Sequence, residues 1–201
     1  MKFALTSEDW NQLDDRIRRV DEDRWLSARY ADHQDRLSLI AFYAFLHELS
    51  KVKTTVSEPV LGAMRFQWWR DMLDQISSGG EAPAHDVAQA VFGQFASDEG
   101  AIQFLQDLLN GYQDAFEIED VSAEPVSKAL QFGCRILDQA WTAGNVDVIA
   151  KIAQHEPVEV KVPEHVRSAT AHLRLQRRIK GQGGPVARRL SVSLHILTGR
   201  F

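Results

Sequence analysis

The sequence predicts an all-α fold, a bundle of amphipathic helices. Apolar residues recur at steps of three and four along most of the chain, and residues typical of helix starts precede these stretches. The stretch that alternates apolar and polar residues, from Val158 to Val162, is short and flanked by prolines. One short strand without partners cannot form a sheet, so we interpret residues 157–163 as an extended linker.

Two helix-start signals stand near the beginning of the amphipathic stretches. Thr6 with Asp9 three residues later has the pattern of a capping box. Ser57 is predicted to cap a later helix, with Pro59 in its first turn. Both signals indicate helices that start at defined residues.

The predicted helices follow one another along the chain. Residues 32–56 form a helix with one buried face: Phe42, Phe45, Leu46, Leu49, Val52 and Val56. Residues 58–77 form the next, with this predicted buried face: Leu61, Met64, Trp68, Trp69, Met72 and Ile76. Further helices are predicted at 84–96, 99–116, 123–142, 164–180 and 185–198, the last two separated by a turn at 181–184. We predict a single all-helical domain over residues 1–201, in which the linker leads to a basic helical segment, residues 164–201.

Composition limits the classes of protein to which the chain can belong. It has 201 residues, of which 44% are apolar and 25% charged, which suits one domain with a buried core. No apolar run approaches the roughly 18–20 residues of a membrane span, and the N-terminus lacks a signal-peptide core. We therefore expect a cytoplasmic location. Cys134 is the single cysteine and is predicted to be a small buried apolar side chain.

Charge is distributed unevenly along the chain. Residues 1–160 carry 27 acidic and 14 basic side chains, whereas residues 161–201 carry 1 and 9. No lysine or arginine occurs between Arg70 and Lys128, so nucleic acid is not an expected partner of this acidic part. The basic C-terminal helices have two interpretations: docking on the acidic body of the same chain, which we favour, or peripheral contact with an anionic inner-membrane surface.

The most informative stretch is residues 42–73, FYAFLHELSKVKTTVSEPVLGAMRFQWWRDML. Its SEPVLG, MR and QWWRD segments resemble the squalene/phytoene synthase family. That resemblance implies an isoprenoid-synthase-type helical bundle, here shortened, because the family's enzymes are longer than this chain. It also implies a chemistry in which two Asp-rich motifs hold Mg²⁺ ions while two prenyl diphosphates are joined head to head.

The chain departs from the family at the first Asp-rich motif. Aligned on YAFCRxxDDxxD from Tyr43, the arginine position holds His47, and the three aspartates are replaced by Ser50, Lys51 and Thr54. His47 and these three replacements are spaced i, i+3, i+4 and i+7, so the four residues share one helix face. Because Lys51 would repel Mg²⁺ and the hydroxyls offer no anionic oxygen, this face is a candidate pocket without a metal site.

Neighbouring residues are further candidates for a binding role. Glu48 is the carboxylate closest to the motif, one residue off its face. Arg65 is expected to pair with the acidic body or to contact an anion, the first being favoured. Trp68 and Trp69 could wall an apolar channel, but core packing is favoured, and adjacent helical residues point about 100° apart, so at most one is central to the core.

The second Asp-rich motif of the family is not recognisable. Asp114, Glu117 and Asp120 stand at steps of three, and we favour a solvated acidic helix end over a ligand set. The seven histidines form no HxxxH or HExxH pattern, so no metal site is expected.

We therefore predict a catalytically inactive family member that acts by binding. The eroded motifs resemble a branch that includes a mitochondrial assembly factor for the respiratory NADH dehydrogenase. This interpretation needs no cofactor, and its expected partner is a protein or a prenyl-type lipid. Two alternatives stay open: a prenyltransferase that condenses prenyl diphosphates, which would require Mg²⁺, and a peripheral protein that binds prenyl lipid or an anionic membrane.

Overall fold

The computed structural model describes residues 5–56, 58–177 and 185–199, and the regular structure within these ranges is entirely helical. The all-α prediction is therefore confirmed. The described chain divides into two compact units. The first unit comprises the described residues up to Leu13 together with Ala41–Pro125, and the second comprises Asp14–Ile40 together with the described residues from Val126 onward.

The α-helices are α1 (Ser7–Val20), α2 (Glu22–Ala28), α3 (His33–Thr55), α4 (Pro59–Ser77), α5 (Asp86–Phe95), α6 (Glu99–Glu117), α7 (Val126–Leu137), α8 (Gln139–Gly144), α9 (Val146–Ala153), α10 (Arg167–Thr170), α11 (His172–Arg177) and α12 (Pro185–Thr198). Short 3₁₀ turns occupy Val121–Ala123 and Glu164–Val166. Among the described residues, no helix combines the length and the apolar character that crossing a bilayer requires.

The helix predicted over 123–142 is wrong, because the structure has two helices there. Asp138 leaves the helical conformation, and its Oδ1 accepts a hydrogen bond from the backbone N–H of Trp141 at 2.8 Å. This cap ends α7 and starts α8, as expected of an aspartate that competes with the helix backbone for hydrogen bonds. Helices α2 and α9 were not predicted, whereas the helix predicted over 185–198 is confirmed.

The predicted capping box at the start of α1 is confirmed. The backbone N–H of Thr6 donates to Asp9 Oδ2 at 2.7 Å, and the backbone N–H of Asp9 donates to Thr6 Oγ1 at 3.2 Å. The Thr6 hydroxyl also donates to Asp9 Oδ2, and this bond, together with the one from the Thr6 backbone N–H, lowers the pKa of the Asp9 carboxyl. At α4 the N-cap residue is Glu58, which makes no side-chain cap bond. The helix predicted over 164–180 is wrong in its described part, which is a 3₁₀ turn at Glu164–Val166 followed by the separate helices α10 and α11. Its end lies outside the described residues, as do the predicted cap Ser57 and the turn at 181–184.

The buried face predicted for α3 is largely correct. Phe42, Phe45 and Leu49 are fully buried, and Leu46 and Val52 lie beside them, also buried. Cys134 in α7 is buried as well, as predicted. In α3, however, residues 39–46 are all buried, so this part of the helix is enclosed on every side and not along one face only.

The buried face predicted for α4 is partly wrong. Leu61, Met64 and Trp68 are 46%, 63% and 40% exposed. Trp69, Met72 and Ile76 are buried as predicted, and the buried face runs along steps of four and three through residues that the prediction left out: Gly62, Phe66 and Leu73. Because α4 carries apolar residues on two sides, the period alone does not decide which side is covered.

Helix α4 packs against α6 within the first unit. The rings of Phe66 and Phe116 lie 5.6 Å apart, and a Cβ atom at Gly62 would overlap the Phe116 ring. Polar contacts flank this apolar contact, since Arg70 Nη2 donates to Asn110 Oδ1 and to Gln113 Oε1, each at 2.8 Å. The absence of a side chain at Gly62 therefore allows the close approach of the two helices.

In the second unit, a buried arginine binds the end of α12. Arg167 Nη1 donates to the carbonyl oxygens of Ile196 at 2.5 Å and Leu197 at 3.1 Å, and its Nε donates to Val162 O at 2.9 Å. A cation at a helix C-terminus interacts favourably with the carbonyl groups that have no partner within the helix. The first basic residue of α10 therefore has an internal role.

A second arginine ties α12 to α2. Arg188 pairs with Glu22 at 2.6 Å and also with Asp23, and the pairing raises the pKa of its guanidinium. Residues 156–163 contain neither helix nor strand, in keeping with a connecting segment. Whether further basic residues near the C-terminus contact a membrane stays a prediction.

Acidification is expected to destabilise the second unit through His172. Burial lowers the pKa of this imidazole well below its ordinary value of 6.5, and the charges of Arg24, His195 and His155 lower it further. Below about pH 6.5 the unfolded chain therefore binds a proton that the folded chain does not, and the free energy of unfolding decreases. The stability that neutral His172 contributes is fully present above that pH. Below it, the free energy of unfolding decreases by at most about 1.4 kcal/mol per pH unit.

Urea unfolding at a series of pH values between about 7.5 and 5 checks this expectation. His172→Gln should show a weaker dependence on pH than the unchanged protein. His33→Gln, at an exposed position of α3, is the matched control and should retain the original dependence. Equal slopes for the two variants would contradict the assignment to His172.

Candidate functional site

The motif face of α3 carries side chains that bond within their own helix. Lys51 Nζ donates to Glu48 Oε1 at 2.5 Å, and Glu48 is 7% exposed. Ser50 Oγ donates to the backbone carbonyl of His47 at 3.2 Å, and Thr54 Oγ1 donates to that of Lys51 at 3.0 Å. The lysine charge at the motif position is therefore offset by a buried carboxylate that the sequence analysis placed beside this face.

These residues do not fit a Mg²⁺ ion. The Glu48 carboxylate accepts from an ammonium group, and the two hydroxyl groups donate to helix carbonyls. Mg²⁺ requires oxygen ligands in a nearly octahedral arrangement, most often including free carboxylates. In the part of the chain that the structure describes, no group of three or more His, Cys, Asp or Glu side chains could hold a metal ion. The side chains at this face therefore do not form a Mg²⁺ ligand set.

Tyr43 stands four residues before His47 and so shares its side of α3, whereas Arg65 lies on α4. Arg65 Nη1 donates to Thr55 Oγ1 at 2.7 Å, so this arginine connects α4 to the last residue of α3. Tyr43 is buried, with its ring 5.6 Å from that of Phe42. Tyr43 thus packs in the core, whereas Arg65 is exposed and donates to a hydroxyl group.

The adjacent tryptophans have different environments. Trp69 is 4% exposed, and its ring meets Phe45 edge-on at 5.4 Å. Trp68 is 40% exposed, and the centre of its ring lies 4.7 Å from that of Trp69. His85 contacts both indoles at 5.3 Å, a role that no sequence signal indicated. As expected from the helical geometry, one tryptophan of the pair belongs to the core.

The acidic residues considered as a second motif do not share one helix face. Helix α6 ends at Glu117, and Asp120 instead caps the following 3₁₀ turn. Asp114, Glu117 and Asp120 are all exposed. Hydrogen bonds from the hydroxyl and backbone N–H of Ser122 lower the pKa of Asp120, with a smaller effect of Lys53. This arrangement agrees with the favoured interpretation, an acidic helix end.

An apolar groove of about 610 Å³ opens within the first unit, where the ends of α3 and α6 meet the start of α4. Five residues form its apolar walls: Val56, Pro59, Val60, Ala63 and Phe116. Four charged residues complete the lining: Lys53, Glu58, Glu117 and Glu119. The Lys53 ammonium nitrogen is buried without a hydrogen-bond partner among the described residues.

Sequence reasoning missed this groove, since three helices that are distant in the chain contribute its walls. None of the α4 residues that line it, Pro59, Val60 and Ala63, belongs to the face that the apolar period predicted to be buried, so the pattern gave no signal for the groove. The groove therefore joins the motif face as a candidate for binding.

Comparisons with known proteins agree with the resemblance. The family model described as squalene/phytoene synthase matches residues 17–127, more than half of the chain. A bovine (Bos taurus) protein named "NADH dehydrogenase (ubiquinone) complex I, assembly factor 6" is 35% identical over 69 residues. That match covers 34% of this chain and only 20% of the bovine protein. No solved structure matches the chain.

The extent of the family match and the helical fold support the same assignment. The matched residues include α4, with its tryptophan pair, and the whole motif face of α3. The chain belongs to the squalene/phytoene synthase family.

Proposed function

We propose that this protein is a catalytically inactive member of its family that acts by binding, as an assembly or accessory factor for a respiratory membrane complex. The ion pair between Glu48 and Lys51 carries the proposal. Lys51 stands where a family enzyme presents an aspartate to Mg²⁺, and its partner Glu48, one residue off that face, is a buried carboxylate that the ammonium group already neutralises.

The chemistry of the family explains why this replacement matters. Ionisation of a prenyl diphosphate requires the neutralisation of the charge that develops on the leaving group, for which Mg²⁺ and carboxylate ligands are suited. Ser50 and Thr54 donate their hydroxyl protons to helix carbonyls instead. The bovine relative, whose name describes an assembly factor of complex I, suggests NADH dehydrogenase as the complex.

Incubation with farnesyl or geranylgeranyl diphosphate is expected to release no diphosphate above the enzyme-free background, with or without Mg²⁺. The reason is that α3 offers no metal ligands at the motif position. Release can be followed by a coupled diphosphate assay, with an active family enzyme as the positive control. Mg²⁺-dependent release would favour the prenyltransferase alternative and would overturn the proposal.

Deletion of the gene in its source organism tests the assembly role. We expect less assembled NADH dehydrogenase on native gels and lower NADH:ubiquinone activity of the membranes, both restored by the unchanged gene. The double variant Glu48→Gln, Lys51→Met should restore them too, because it removes both charges of the pair together. Failure of this variant, if it is folded, would favour a chemical role for Lys51. A normal complex in the deletion strain would exclude the assembly role.

A further inference from the structure

Helix α4 has a second apolar face that the first unit leaves uncovered. We define the α4 apolar surface as Val60, Leu61, Met64 and Trp68. Val60 and Met64 are the most exposed, at 67% and 63%. Exposed apolar residues are common one at a time, but a contiguous group on one helix is typical of an interaction site.

The spacing of these residues forms a continuous stripe. Leu61, Met64 and Trp68 stand at i, i+3 and i+7, which places them along one side of α4 over about 10 Å. Val60 belongs to this surface and also lines the groove, so stripe and groove join at the start of the helix. Ile118, 64% exposed, follows directly after the end of α6, whose last residues line the same groove.

The charges around the groove are mostly acidic. Among the described lining residues, three exposed carboxylates face a single cation: Glu58, Glu117 and Glu119 against Lys53. The ammonium nitrogen of Lys53 is buried, so the carboxylates dominate what a ligand meets at the groove. The region also lacks lysine and arginine from residue 71 to residue 127. A complementary partner must therefore be cationic, which disfavours anionic lipid headgroups.

We propose that the α4 apolar surface and the adjoining groove bind an amphipathic helix of a partner protein, with lysine or arginine beside its apolar stripe. Such a helix presents apolar anchors at i, i+3 or i+4, and i+7, a repeat that matches the length of the stripe on α4. Its basic residues face the carboxylates at the groove. This proposal rests on the proposed function, since it specifies the kind of segment that a binding protein of this fold would recognise.

The probe is a synthetic amphipathic helix of about 18 residues, with a leucine stripe flanked by lysines and a fluorescent label. Two further peptides serve as controls: one with the lysines replaced by glutamates, and one with the same composition in scrambled order. Fluorescence anisotropy measures binding to the full-length protein at low and high salt. We expect micromolar binding of the lysine peptide, weakened by salt, and at least tenfold weaker binding of both controls.

Variants of the protein locate the binding site. Met64→Glu should weaken binding of the lysine peptide at least tenfold, since it places a charge in the stripe. Glu117→Lys with Glu119→Lys should weaken it and reverse its dependence on salt, since salt then screens a repulsion. Leu197→Glu, at an exposed apolar position of α12, is the matched control and should bind normally. Because all of these positions are exposed, circular dichroism should show unchanged folding.

Several results would overturn the proposal. These are equal binding of the lysine and glutamate peptides, no binding of either, or equal effects of Met64→Glu and Leu197→Glu. Self-association that Met64→Glu abolishes, or binding to anionic vesicles that it abolishes, would assign the surface to a second copy or to lipid instead. Peptide binding does not depend on the gene-deletion experiment, so failure of the assembly role and failure of this surface can be distinguished.

Discussion

Replacement of Trp69 by alanine is expected to lower the free energy of unfolding by about 3–5 kcal/mol. The Trp69 indole is buried and packs edge-on against Phe45 and against the ring of His85. Its removal would leave a large cavity that the neighbouring rings cannot fill without leaving their preferred geometry.

The adjacent residue provides a matched control. Trp68→Ala removes the same side chain from the next position of α4, where it is 40% exposed. Because the Trp68 ring still packs against those of Trp69 and His85, we expect an intermediate cost of about 1–2 kcal/mol, below that of Trp69→Ala. Urea unfolding of the two variants measures the difference. Similar losses would show that both tryptophans contribute to the core and would contradict the burial seen here.

Replacement of Arg167 by leucine is expected to destabilise the protein by about 3 kcal/mol or more. The guanidinium satisfies carbonyl oxygens of Val162, Ile196 and Leu197. Leucine would leave these acceptors without their donor at the end of α12. For a chain of this size, the melting temperature should fall by about 6–12 °C.

Two further variants separate the hydrogen bonds from the charge. Arg189→Leu, at an exposed position of α12, removes one positive charge and should leave the melting temperature within about 2 °C. Arg167→Lys keeps the charge but cannot reach all three carbonyls with one ammonium group, so an intermediate loss is expected. If Arg167→Leu melted like Arg189→Leu, the capping role of Arg167 would be excluded. Differential scanning calorimetry provides the measurement.

Only some features of the candidate site can be predicted from residue patterns. The loss of the aspartates at Ser50, Lys51 and Thr54 is visible in the sequence, and it already argues against a Mg²⁺ site. The ion pair between Lys51 and Glu48, in contrast, cannot be predicted from the sequence. Glu48 lies three residues earlier, but only the rotamers within the folded helix decide whether the two side chains meet.

The position of the groove cannot be predicted from the sequence, for a different reason. Its walls come from α3, α4 and α6, and their apolar residues have no fixed spacing in the chain. The sequence does predict the acidic character of the region, since charge depends on composition. Where the carboxylates of Glu58 and Glu117 stand relative to the apolar walls depends on how the helix ends meet.

By itself, the sequence determined the helical class, the family and the erosion of its first Asp-rich motif. Capping residues and the period of apolar residues act locally, within a few turns, so they can be recognised without the fold. The tertiary structure alone decided that α4 buries Phe66 and Trp69 while Met64 and Trp68 stay exposed. Both faces of α4 are apolar, and the contact of Phe66 with Phe116 beside Gly62 selects the inner one, because this packing depends on a helix that lies about fifty residues away in the chain.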